Sequence, residues 1–217
     1  MCAMATDPQT PAVVPRGRHA PPLEVRLNTQ RRRLFEAAAA VFHRLGYADA
    51  SAEAIAKQAG MSKATFYEHF ANKEECLSAL FDEAATTVIT AIRTAGDQAV
   101  ADNVPTYEAW VGRRIRAFLS VVQSEPELAH TLLVEVIGAG PRARERRDEV
   151  LDGFTEVLLQ DNAANAPRYD AGRFTSREDV FAAVGALTEV AGRLSRTGGD
   201  VEQYADSLTR LVTGLLR

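Results

Sequence analysis

The chain is poor in cysteine: it has two, Cys2 and Cys76, in 217 residues. One lies in a proline-rich tail and the other in a helix-patterned stretch, which argues against a disulfide framework or a cysteine zinc site. The four histidines (His19, His43, His69 and His130) have no ligand spacing, so no metal site is expected. No run of about 18 apolar residues occurs, so no membrane span is expected. The first residues have no signal-peptide core, and a cytoplasmic protein is the default. Also missing are a glycine-rich phosphate loop, a paired-histidine metal motif and a nucleophile elbow. A helical enzyme is thus left without residues. No catalytic group is assigned and no cofactor is expected.

What is present suits a DNA-facing head on a different kind of body. The net charge is −4, which speaks against an all-purpose polyanion binder. Yet the first seventy residues hold nine Lys/Arg against six Asp/Glu, and the remainder sixteen against twenty-three. That asymmetry fits a nucleic-acid contact at one end, with ordinary charge scatter as the alternative. Residues 1–27 carry Pro8, Pro11, Pro15, Pro21 and Pro22 among few apolar side chains, and read as a flexible basic arm. Such an arm either reaches a DNA groove or is a solvated tail.

From Asn28 onward the apolar period is helical and no strand alternation competes. Leu34, Ala37, Ala38, Val41, Phe42 and Leu45 form the stripe of a first helix stopped by Gly46. Ser51 caps a second helix, Ser62 a third, and Asn72 with Glu75 a fourth of about 24 residues, about 36 Å long. "DNVP" opens a further helix, "SEPE" another from Ser124, and "GAGP" breaks the chain before the next. Ser176 and Asp200 start the last two. The expected fold is all-α with about nine helices. A three-helix head containing a helix-turn-helix (residues 28–71) is joined by the long helix to a larger bundle within residues 72–217.

The helix-turn-helix reading rests on packing. Ala56 is small where two helices cross, Gly60 supplies a positive φ for the turn, and Phe66 fills the space beneath. The exposed side of the third helix then offers Lys63, Thr65, Tyr67 and His69, types that bond phosphates and base edges in a major groove. Lys73, with the amides at the fourth helix's start, suits a further phosphate.

These residues carry a resemblance. "ASAEAIAKQAGMSKATFYEHFANKEECLSALF" resembles the DNA-binding signature of the TetR family of bacterial transcriptional regulators, over roughly Arg31 to Phe81. The resemblance implies a homodimer, mostly a repressor in that family, that binds a double-stranded DNA operator and is released by a small-molecule effector. It places Ser51 and Ala52 at a phosphate, and Ser62, Lys63, Thr65, Tyr67 and His69 on the recognition helix. It places Lys73 at a second phosphate and leaves Phe66 and Phe70 in the core. Glu68 departs from the pattern: it either faces away from DNA or accepts from a cytosine amino group, and facing away is the favoured reading. Arg31, Arg32 and Arg33 point about 100° apart, so not all three face one surface.

In the body, Val184, Leu187 and Leu194 lie on one apolar stripe, and Leu208, Leu211 and Leu215 on another. By resemblance these pair with their copies in a four-helix dimer interface; an intramolecular core would be served equally well. Candidate effector-pocket residues are Trp110, Phe118, His130, Leu133, Glu135, Phe154 and Phe181, aromatic groups with a few polar ones. A DNA-binding architectural protein without effector is the rival reading, and it expects a body without a cavity.

Overall fold

The computed structural model describes residues 22–216, and among these the chain is helical throughout, with nine α-helices and no strand. The arm up to residue 21 lies outside the described residues. The first helix, α1 (Leu23–Asp49), starts inside the span expected to be arm, so residues 23–27 are helical. Leu23, Val25 and Leu27 are exposed there. The α1 stripe from Leu34 to Phe42 is buried, but Leu45 is 41% exposed at the helix's end, beside the break at Gly46.

The head continues with α2 (Ala52–Gln58) and α3 (Lys63–His69). Both starts are serine-capped: Ser51 Oγ accepts from Ala54 N at 3.1 Å, and Ser62 Oγ from Thr65 N at 3.0 Å. Each such cap stabilises a short helix by about 1 kcal/mol. Between them Gly60 takes φ +67°, and Met61 N donates to Ala56 O at 2.9 Å to close the turn. Ala56 and Phe66 are both buried, as the motif requires.

Helix α4 (Lys73–Ala101) opens with a reciprocal cap. Asn72 Oδ1 accepts from Glu75 N at 2.9 Å, and the Glu75 carboxylate accepts from Ala71 N at 2.6 Å. With 29 residues it is longer than expected, about 43 Å. The body adds α5 (Tyr107–Ser124), α6 (Pro126–Leu133), α7 (Pro141–Asn165), α8 (Arg177–Thr197) and α9 (Val201–Thr213). Short 3-10 turns cover Glu135–Gly138 and Ala166–Tyr169. The box expected at Ser124 does not form. Ser124 Oγ instead donates to Val121 O at 2.9 Å, ending α5, and α6 starts from Glu125 with no side-chain cap.

Two apolar cores result. One joins α1–α3 and the first turns of α4 to Leu132, Val136, Ala139 and Ala143, so the head packs directly on the body. Thr131 Oγ1, fully buried, donates to Glu127 O at 2.9 Å and shares that proton with Ala39 O of α1, 3.3 Å away across the junction. The second core centres on α5, with Trp110, Ile115 and Leu119 against α8 and α9. Between the two, α4 residues 84–91 are at most half-covered.

Candidate nucleic-acid interface and effector cavity

The outer arc of α3 is made by Lys63, Ala64, Tyr67 and Glu68, all exposed, while Phe66 and Phe70 point into the head. Tyr67 is held edge-on against Phe66, ring centroids 5.6 Å apart, so its hydroxyl is presented outward on a stiff base. Lys63 Nζ lies 3.7 Å from Glu53 Oε2 of α2, an exposed pair worth little. Ser51 and Ser62 are exposed beside this arc, with Ala52 half-buried. Glu68 is solvent-exposed and shares the arc with Ala64.

Two of the expected contact residues sit on the flank instead. The Thr65 hydroxyl is 2.9 Å from that of Ser62, and His69 Nε2 is 3.3 Å from Gln30 Oε1 of α1. Burial, and then the Arg31 charge, hold the His69 pKa below its ordinary value, with Glu68 opposing. The three arginines diverge as their spacing requires. Arg31 stacks over Phe35 and Phe70, Arg32 lies 3.7 Å from Glu36, and Arg33 donates to Ala59 O at 2.9 Å.

Lys73 is a correction. Its ammonium donates to Tyr47 O at 2.7 Å, Ala48 O at 3.0 Å and Ala50 O at 2.9 Å, and lies 4.5 Å over the Tyr47 ring. All three N–H bonds are spent on carbonyls around the end of α1. The side chain therefore ties α4's first turn to that end and has no donor left for a phosphate. Hydrogen bonds from a charged donor contribute roughly 1.5–3 kcal/mol. Lys73→Met is thus expected to lower unfolding stability by about 2–3 kcal/mol in urea titration and to leave the salt slope of DNA binding unchanged.

The body contains a groove of about 710 Å³ bordered by α1, α4, α5, α6 and α7. An inner chamber of about 80 Å³ shares Val88, Phe118, Phe154 and Thr188 with it. Trp110, Phe118, Phe154 and Leu133 of the expected pocket residues line one or the other. His130, Glu135 and Phe181 line neither. His130 Nε2 is 3.3 Å from Glu135 Oε1, and its ring meets that of His43 edge-on at the head–body junction. Phe181 is 40% exposed on the outer side of α8.

Sequence reasoning missed Arg114 and Asp161. They form a close ion pair, with the guanidinium 8% exposed, 4.3 Å over the Trp110 ring and lining the inner chamber. Burial pulls the Arg114 pKa down, and Asp161 opposes this. The two are 47 residues apart, and no periodic signal joins them. Cys76 is fully buried in the head, its thiol pushed up to about 12 by burial, and so is inert at neutral pH.

Of the expected interface residues, Val184, Leu187, Leu194 and Leu208 are buried within the chain's own core. Only Leu211, 44% exposed, and half-buried Leu215 remain at the surface. The stripes on α8 and α9 serve the fold first, because α5 and α6 already cover them.

The described residues thus form a helix-turn-helix head on an all-α, cavity-bearing body. Residues 34–80 match the family described as bacterial regulatory proteins, tetR family. Over 75 residues it is 36% identical to the uncharacterized HTH-type transcriptional regulator YhgD of Bacillus subtilis. That match spans 35% of this chain and 37% of the relative. Over 125 residues it is 26% identical to the fatty acid metabolism regulator protein of Bacillus subtilis, spanning 58% of this chain and 62% of that one. In fold it is similar to FadR from Bacillus subtilis, solved in complex with stearoyl-CoA. The TM-score is 0.71 at 20% identity, over 86% of this chain and 99% of that one.

No helix among the described residues is long and apolar enough to cross a membrane, and no cluster of metal-ligating side chains occurs among them.

Proposed function

We propose that the protein is a ligand-responsive transcriptional regulator, a homodimeric repressor that binds a palindromic operator in the cytoplasm and leaves it when a small molecule enters the groove. The observation that carries this reading is the outer arc of α3. Its tyrosine and lysine stand beside two serine-capped helix starts, on a head whose other face is fully packed. Helix N-termini and hydroxyls position the phosphate backbone, and α3 reads base edges, with Thr65 and His69 reaching in from its flank. Exposed Phe181 and Leu211 supply the dimer face on α8 and α9.

The groove supports release, and it speaks against an architectural protein with a filled body. Phe35 and Ala39 of α1 line it together with Leu128 and Leu132 of α6 and Phe154 of α7. A ligand there presses on a head helix directly, and also on the half-covered middle of α4. It shifts the equilibrium only by binding the DNA-incompetent arrangement better. The stearoyl-CoA of the FadR complex and the apolar lining here favour an effector with a long apolar body.

The test is selection of bound fragments from genomic DNA, followed by binding of the recovered site at several salt concentrations. A palindrome with half-sites about one helical turn apart, roughly 34–36 Å, is expected. Lys63→Ala should weaken binding to all sequences alike and flatten the logarithmic salt slope by about one. Recovery of fragments without a shared palindrome would count against a dimeric operator-binding repressor.

A further inference from the structure

The inner chamber is lined mainly by aromatic and aliphatic groups, with three polar side chains among them, Arg114, Tyr107 and Thr188. Arg114 is 8% exposed and Tyr107 is 6% exposed. Among the described residues, the guanidinium makes one hydrogen-bonded pairing, from Nη2 to Asp161, and stacks on Trp110. Its other N–H groups make no hydrogen bond there. The Tyr107 oxygen accepts from Asn162 Nδ2 at 2.8 Å, which leaves its own proton to be donated.

Asn162 meets that hydroxyl with its Nδ2, a donor that has no lone pair to accept the proton. Its Oδ1 accepts from Phe174 N at 3.0 Å, and its Nδ2 also reaches Gly172 O at 3.3 Å. Thr188 donates its hydroxyl proton to Gly185 O at 2.9 Å and keeps an oxygen able to accept; the Arg114 and Tyr107 end of the chamber offers donors. Among the described residues no Arg114 or Tyr107 atom is buried without a partner, so water reaches the spare donors in the chamber. A guest that covers them and brings no acceptor leaves them unpaired, so the wall favours one that brings an oxygen. The charge is already balanced, because Asp161 sits on Arg114. A second carboxylate would be repelled by Asp161, whereas a neutral oxygen would not.

We infer that the inner chamber is a subsite for a neutral oxygen, an alcohol or carbonyl, carried at the buried end of an apolar effector, with Arg114 and Tyr107 as its donors. This rests on the reading of the groove as the effector site. It assigns the ligand's far end a polar group that a plain acyl chain lacks.

Trp110 is the single tryptophan of the chain and lines the chamber, so its fluorescence reports occupancy. Hexadecanoic acid, 16-hydroxyhexadecanoic acid and hexadecanedioic acid are titrated against the full chain, with thermal melting as a second readout. The hydroxy acid is expected to bind about tenfold tighter than hexadecanoic acid, as a hydrogen bond to a charged donor allows. The diacid is expected to bind weakest.

Arg114→Met alone strands Asp161, so the second variant is Arg114→Met with Asp161→Leu, which replaces the pair by apolar side chains. It should retain hexadecanoic acid binding and lose the hydroxyl preference. Equal binding of the two monoacids, tightest binding by the diacid, or a preference surviving in the double variant would overturn the subsite. If hexadecanoic acid releases operator DNA with no hydroxyl advantage, the regulator reading stands and this one fails. If none of the three alters Trp110 emission or melting, the groove is not the effector site, and both readings of it fall.

Discussion

Leu211→Glu is expected to convert the protein to monomers and to weaken operator binding by at least about a hundredfold, with helical content unchanged. Leu211 is 44% exposed on α9, so a carboxylate there meets water in the isolated chain and costs the fold little. In the proposed dimer the same carboxylate would be buried without a partner against the second copy. Losing the dimer turns one bivalent encounter into two independent ones, and linkage of two sites is worth about 10²–10⁴ in affinity. Sedimentation, circular dichroism and a mobility-shift assay measure the three quantities. The contrast is Leu208→Glu, one turn away and 4% exposed in the chain's own core, which should unfold the body outright. A monomeric Leu211→Glu protein holding its operator at full affinity would refute the dimeric model.

Phe66→Ala is expected to destabilise the head by about 3–5 kcal/mol. Its ring is fully buried below the crossing of α2 and α3, with the Phe70 ring centroid 5.5 Å away and Ala56 buried in the same core. Neither short helix is stable by propensity alone, at seven residues each. The cavity left behind therefore takes with it the surface that orients Lys63 and Tyr67. Operator binding should vanish near the temperature at which the head melts, well below that of the wild type. Hydrogen exchange should show the loss of protection concentrated in α1–α3. Full protection there, with unchanged operator affinity, would mean that Phe66 is not the keystone of the turn.

The head was legible because its determinants are local. Ser51, Ser62 and Asn72 cap the helices that their spacing marks, and Ala56, Gly60 and Phe66 lie close enough in sequence to be read as one motif. Helix order in the body followed from the same signals, at Ser176 and Asp200 for instance. It failed at Ser124, where the hydroxyl closes the preceding helix because its Oγ finds the Val121 carbonyl first.

The sequence by itself determined a nine-helix, all-α chain with a helix-turn-helix near its front, since caps and a 3.6-residue period act within a few residues of one another. Only the tertiary structure decided what each outward or inward choice was for. Lys73 looks like a phosphate ligand in sequence, but its ammonium donates to three carbonyls 23 to 26 residues earlier. Val184, Leu187, Leu194 and Leu208 form stripes that fit a partner or a core equally well, and the covering by α5 and α6 chose the core. His130 and Glu135 turned to α1 rather than to the cavity, while Arg114 and Asp161 met across 47 residues inside the body. Periodicity tells which side of a helix is apolar; which neighbour lies against that side is set by the packing of the whole chain.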